Sequence, residues 1–138
     1  MVASGRYLPS PTPETANFWA GTASEKLILQ RCQRCDQVNF PPRPFCAACS
    51  SRDVIEFEAC GRGKLHSYTI SYRAAPGFEA PYAIAVVELH EGPKMMTNIV
   101  NCPQTPVALV LDMPLRVTFK RVSDTISLPL FEPEESGS

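Results

Sequence analysis

At 138 residues the chain holds one domain, or a small domain with an appendage, and its 44% apolar content is enough for a real core. A formal net charge of −1 supplies no global field to recruit nucleic acid or an anionic membrane surface. Six cysteines raise the prospect of a secreted disulfide framework, but four stand in two Cys-x-x-Cys pairs, a spacing that suits a metal and poorly suits a disulfide staple.

Residues 1–26 read as a flexible lead followed by a docking helix. Thr12 is the expected N-cap and Pro13 the first helical position, and Glu14 stands where the helix dipole favours negative charge. The helix carries Phe18 and Trp19 and is expected to stop near Gly21, with a second helical turn starting at Ser24. Phe18 and Trp19 have two readings, packing within the chain or anchoring in a partner as aromatic hot spots do.

Residues 27–59 read as a metal ribbon. A strand over 27–31 leads into Cys32-Gln33-Arg34-Cys35, with 38–40 as its hairpin partner. Pro41, Pro42 and Pro44 stiffen the connection to Cys46-Ala47-Ala48-Cys49, and a strand over 54–58 leaves the ribbon. Ten residues separate the two knuckles. Each knuckle aims two thiolates at one point, and two facing knuckles complete a tetrahedron. Cys32, Cys35, Cys46 and Cys49 are therefore the candidate metal ligands, with zinc the default and a rubredoxin-like iron site using the same four sulfurs. Four reduced core thiols are the competing reading, and the matched spacing speaks against it. A closed four-sulfur shell has no position for water or substrate, which makes the metal structural.

Residues 60–132 read as β structure. The segment 64–73 alternates, with His66, Tyr68, Ile70 and Tyr72 on one face and Leu65, Ser67, Thr69 and Ser71 on the other. Segment 82–89 is apolar on both faces and suits a central strand, Glu91-Gly92 is a turn, and 94–101 is the next strand. The apolar run 106–111 has no clear type. Segment 115–122 places Leu115, Val117 and Phe119 on one face, Ser123-Asp124 turns, and 125–131 closes the sheet. About five strands entered through Gly61-x-Gly63 point to a small Greek-key barrel, the OB-fold, with an open antiparallel sheet as the rival. The expected architecture is thus mainly β: an N-terminal helix, a rubredoxin-like zinc ribbon and a five-stranded OB-fold barrel. Residues 133–138 read as a disordered acidic tail.

The remaining chemistry-bearing residues have bland readings beside sharp ones. Cys60 and Cys102 are nucleophile candidates only if a neighbour lowers their pKa, and are otherwise inert thiols. His66 and His90 show no nucleophile or carboxylate at triad spacing. Arg31, Arg34, Arg43, Arg52, Arg62 and Lys64 cluster in and after the ribbon, where they either hold phosphates or balance Glu25, Asp36, Asp53, Glu56 and Glu58 on a solvated surface. Because OB-folds and zinc ribbons both occur in single-strand nucleic-acid binders, that function is the alternative, which the near-neutral charge opposes. Met1 to Pro13 lacks a basic region followed by an apolar run, and the expected compartment is a reducing cytoplasm, where thiolates stay available for zinc.

The chain resembles the bacterial and archaeal zinc-ribbon plus OB-fold proteins that accompany thiolase-like enzymes of acyl-CoA metabolism. The resemblance runs from about residue 12 to 133. It rests on Thr12-Pro13-Glu14-Thr15, Phe18-Trp19, Phe40-Pro41-Pro42-Arg43, the two knuckles and Gly61-x-Gly63, and further on Pro81-Tyr82, Val86-Val87-Glu88-Leu89, Met113-Pro114-Leu115-x-Val117 and Leu128-Pro129-x-Phe131. One departure is Asp112 before Met113-Pro114, a position where many members of the resembled family carry glycine. The resemblance implies a required non-catalytic subunit that scaffolds a thiolase, acyltransferase or aldolase partner and shares its coenzyme A thioester substrate. A heteromer with two of each subunit is the natural symmetry. Arg73, Phe78 and Tyr82, around the loop before the central strand, are the candidate contacts for CoA, the acyl channel or the interface.

Overall fold

The computed structural model describes residues 12–13, 15–40, 42–74, 79–124 and 126–134. The helix α1 (Ala16–Ala23) starts later than Thr12. Thr12 and Thr15 close a turn ahead of it, Thr12 N–H donating to Thr15 Oγ1 at 2.8 Å and Thr15 N–H to Thr12 O at 3.0 Å, so Thr15 becomes the N-cap. Gly21 does not end the helix. A Cβ at Gly21 would lie 2.5 Å from Ile28 Cγ1, so this glycine is a point of close approach. Ser24 caps the C-terminus instead of opening a second helical turn, and Glu25, with φ 60°, reverses the chain. Phe18 is 4% exposed and packs edge-on to Trp19 and against Phe40, so its ring serves the intramolecular reading.

Strands β1 (Ile28–Cys32), β2 (Val38–Asn39) and β3 (Val54–Glu58) form a small antiparallel sheet in the order β2-β1-β3. The second sheet comprises β4 (Arg62–Ser71), β5 (Tyr82–Leu89), β6 (Lys94–Asn98), β7 (Pro114–Arg121) and β8 (Ser127–Pro133), in the order β6-β5-β4-β7-β8. Its open edges meet. Ile99 bridges Phe131 in parallel, Val100 N–H donates to Phe131 O at 2.8 Å, and Thr97 Oγ1 donates to Pro129 O at 3.0 Å. The result is a nearly closed five-stranded barrel with OB-fold connectivity, not an open sheet. Helix α1 packs on β1, β7 and β8 and so joins ribbon to barrel.

The alternation expected along β4 breaks at one residue. The β4–β5 register shifts between Leu65 and Ser67, leaving His66 as a bulge. Leu65 is fully buried before the bulge, while Tyr68 and Ile70 pack on the core after it. His66 therefore points outward and does not share a face with Tyr68. On β5 the alternate residues Ala83, Ala85, Val87 and Leu89 line the core. On β7 Leu115 is buried and Val117 and Phe119 pack beside it, as their spacing predicts. Gly61, with φ 79°, brings the chain into the barrel against Val117, whose N–H donates to Gly61 O at 2.7 Å.

The untyped run 106–111 is a loop pinned by buried Leu109, leaving Val107, Val110 and Leu111 exposed. Asp112 adopts φ 67°, the left-handed conformation that favours glycine, and its N–H donates to Leu65 O at 2.7 Å. At the acidic C-terminal end, β8 runs to Pro133, and Glu134 N–H donates to Pro114 O at 3.0 Å.

Candidate metal centre

The two knuckles are built alike. Cys32 N–H donates to Gln37 O at 2.9 Å and Asp36 N–H to Cys32 O at 2.8 Å. In the second knuckle Cys46 N–H donates to Ser51 O at 2.7 Å and Ser50 N–H to Cys46 O at 2.9 Å. Asp36 and Ser50, each following the second cysteine of its knuckle, adopt φ 62° and φ 65°. This shared turn also aims one backbone N–H at each leading sulfur: Arg34 N–H at Cys32 Sγ, 3.4 Å, and Ala48 N–H at Cys46 Sγ, 3.3 Å. Gln30, 7% exposed on β1, accepts Arg43 N–H at 2.8 Å and so ties the proline-rich connection to the first knuckle.

The geometry brings all four predicted ligands together. The sulfurs of Cys32, Cys35, Cys46 and Cys49 lie within 4.8 Å of one another. Across the knuckles, Cys32 and Cys49 sulfurs are 3.5 Å apart and Cys35 and Cys46 sulfurs 3.6 Å. A tetrahedron with metal–sulfur bonds of about 2.3 Å places its sulfurs about 3.8 Å apart, so the four residues fit zinc. Cys32 and Cys46 are buried, whereas Cys35 and Cys49 reach the surface.

As thiols the four differ. The Cys35 N–H, outweighing burial with help from Arg34 N–H, holds Cys32 below its usual value. Burial opposes ionisation of Cys46, but the N–H groups of Cys49 and Ala48 and the Asn39 amide overcome it and lower that thiol to about 6. The Gln37 N–H favours the Cys35 thiolate, yet burial and the three neighbouring sulfurs outweigh it and push Cys35 up to about 12. Four thiolates this close ionise together only around a cation. Bound there, zinc would supply a structural cross-link between the knuckles.

The other sequence candidates lie apart from this centre. Arg73 is an exposed residue just past β4. Tyr82 opens β5 opposite Ser71, at the same end of the strand pair, and lines a hollow of about 250 Å³ with Asn98, Asn101, Gln104 and Lys120. Phe78 lies outside the described residues. Cys60 is exposed. Burial raises its thiol, and Glu91, whose carboxylate accepts the Cys60 N–H at 2.8 Å, raises it further against an opposing Arg62. Burial also raises Cys102. Neither thiol is activated. His66 and His90 are exposed. Two of the cations form ion pairs, Arg62 with Glu134 at 3.4 Å and Lys64 with Glu88 at 4.0 Å, and Arg31 covers the Phe57 ring at 4.8 Å.

Two residues at the centre escape sequence reading. Gln30 and Asn39 occupy ordinary strand positions, and only the pairing of β1 with β2 sets them beside the knuckles. A polar residue in each of two short strands is the only sequence signal they carry. The described residues contain no helix long and apolar enough to cross a membrane.

Comparison with known proteins covers the same two units. Residues 19–54 match the family described as "ChsH2, rubredoxin-like zinc ribbon domain", and residues 56–120 match "ChsH2, C-terminal OB-fold domain". A probable enoyl-CoA hydratase alpha subunit of Thermomonospora curvata is 35% identical over 128 residues, which is 91% of this chain and 40% of that relative. The chain thus spans well under half of that protein's length. A DUF35 domain-containing scaffold protein of Methanocaldococcus jannaschii is 35% identical over 101 residues, 71% of this chain and 70% of the relative. Among solved structures, a chain of one described as "Ltp2-ChsH2(DUF35) aldolase" superposes with a TM-score of 0.81 at 32% identity, over 91% of this chain and 98% of that one.

Proposed function

The chain belongs to the ChsH2/DUF35 family of zinc-ribbon and OB-fold scaffold proteins, and from that premise we propose that it is the non-catalytic subunit of a heteromeric enzyme acting on acyl-CoA thioesters. The catalytic partner is thiolase-like and performs thiolysis, condensation with acyl transfer, or retro-aldol cleavage. The present chain scaffolds it in a cytoplasmic assembly with two of each subunit. Arg73, Phe78 and Tyr82, around the segment between β4 and β5, are the proposed contacts to CoA, the acyl channel or the partner.

The observation that carries this reading is the likeness over 98% of a chain in a structure whose description couples a DUF35 protein with an aldolase. The chemistry of the chain agrees. A four-sulfur zinc site is closed to substrate. The two remaining thiols, Cys60 and Cys102, are raised, not lowered, so neither is primed as a nucleophile.

The test is reconstitution with the thiolase-like protein that co-purifies with the chain from its host. The isolated chain is expected to turn over no acyl-CoA, the partner alone to be weakly active or insoluble, and the pair to be active. Cys60→Ala and Cys102→Ala are expected to leave the activity of the pair intact. Full activity of the partner without this chain sinks the proposal.

A further inference from the structure

The two buried ligands, Cys32 and Cys46, come from segments that are held in different ways. Cys32 ends β1, the central strand of the small sheet, and pairs with Val54 of β3. Cys46 lies between β2 and β3, outside any strand. It follows the run Pro41-Pro42-Arg43-Pro44. Proline has no N–H and cannot donate to a sheet, so strand pairing is a poor means of fixing this run. Within it Arg43 alone carries a backbone donor, three residues before Cys46.

That single donor is taken by a side chain. Arg43 N–H donates to Gln30 Oε1 at 2.8 Å. Gln30 stands two residues before Cys32 and is 7% exposed. Its backbone is fixed from both sides, opposite Asn39 of β2 and Glu56 of β3. A buried amide needs a partner, and this one finds the only N–H that the proline-rich run offers. The bond thus links a point just before the first leading ligand to a point just before the second.

We infer that Gln30 is a positioning residue of the metal centre, setting the second knuckle against the first through the Arg43 N–H. It supplies to a strandless segment the anchorage that a sheet ladder gives to Cys32. A ribbon that folds around its metal turns folding energy into binding energy. A bond made only in the folded ribbon therefore registers as zinc affinity, and as the geometry of the four sulfurs. The inference rests on the metal reading of the four cysteines and is independent of the partner proposed above.

The test uses the full chain. In the zinc-loaded wild type, scalar coupling across the hydrogen bond is expected to correlate the Arg43 amide nitrogen with Gln30 Cδ. Gln30→Leu keeps the volume and removes the acceptor. Its zinc affinity, measured by competition with a chromophoric chelator, is expected to fall about tenfold. Arg43→Pro is expected to bind zinc more weakly than Arg43→Ala by the same factor, since both lose the guanidinium and only proline loses the N–H. Gln30→Leu with Arg43→Pro should bind no more weakly than either alone, because each removes the same bond. The ligand-field bands of cobalt-loaded Gln30→Leu should differ from those of the wild type, while hydrogen-exchange protection of β5 and β7 stays unchanged. Absence of the wild-type coupling overturns the inference, as does a Gln30→Leu chain with wild-type zinc affinity or a double variant whose losses multiply. Weaker binding with an unaltered cobalt spectrum assigns the loss to stability alone and overturns the positioning role. A Gln30→Leu chain that takes up no zinc is the extreme of the expected loss if the barrel amides stay protected, and overturns the inference if they do not. A wild-type chain that binds no metal overturns the metal reading and this inference with it, and elemental analysis recognises that case.

Discussion

The ribbon and the barrel are both antiparallel sheets joined by one helix, the ribbon with strands of two to five residues and the barrel with strands of five to ten. They differ in what lies between their strands. In the barrel, Leu65, Val87, Leu115 and Phe131 are fully buried, with Ile99 and Leu109 at 1% exposure. In the ribbon, the buried apolar residues Leu27 and Leu29 lie at the base beside α1, while Ile55 on β3 is 41% exposed. At the ribbon tip the fully buried side chains are Cys32 and Cys46. Three strands of five, two and five residues bury too little apolar surface to offset the entropy of ordering them. A metal cross-link replaces the missing core there, whereas the barrel is large enough to supply its own.

That contrast breaks most visibly at a ligand. Cys32→Ser is expected to abolish stoichiometric zinc, a loss on the scale of the ~10–16 kcal/mol apparent binding energy of structural zinc in small peptides. Hydrogen exchange should then lose protection across β1 to β3 and keep it across β4 to β8. Ribbon amides that stay protected without metal would show that apolar packing suffices there.

The reciprocal experiment is Phe131→Ala. Phe131 is fully buried and pairs with both β7 and the bridge at Ile99, so truncation should cost about 3–5 kcal/mol in urea unfolding. Elemental analysis should still find one zinc per chain. Loss of zinc along with the barrel would mean that the two regions fold as one unit.

The smallest effect concerns charge at the barrel rim. Hydrogen bonds from the Asn101 amide and then from Arg116, whose Nε donates at 2.7 Å, hold the Glu132 carboxyl below its usual value. Its folded pKa lies below its unfolded one, so its stabilisation is present above the unfolded carboxylate value and is lost as pH falls through the folded value. Glu132→Gln is therefore expected to cost about 1 kcal/mol at neutral pH. The penalty should vanish in acid, where both chains carry an uncharged side chain. A pH-independent penalty in paired denaturation curves would assign the loss to packing.

Legibility in the sequence followed the same division. The metal ligands were readable because knuckle geometry is local: two cysteines three positions apart meet whatever surrounds them. Leu115, Val117 and Phe119 were readable for the same reason, since a regular strand alternates. The face of β4 was not, because a bulge at His66 depends on how β5 is registered against it. The helix does end near Gly21, at Ala23, but the reason for the glycine was not readable, because it answers to Ile28, seven residues on and across a turn.

By itself, then, the sequence determined the tetrathiolate site, the order of ribbon and barrel and the strand character of each segment, all properties of residues close along the chain. Tertiary structure alone decided that the barrel closes through Ile99 and Phe131, that Phe18 is spent inside, and that Gln30 on β1 holds the backbone of Arg43. Each of those depends on contacts between residues many positions apart, and periodicity carries no information about which distant surfaces meet.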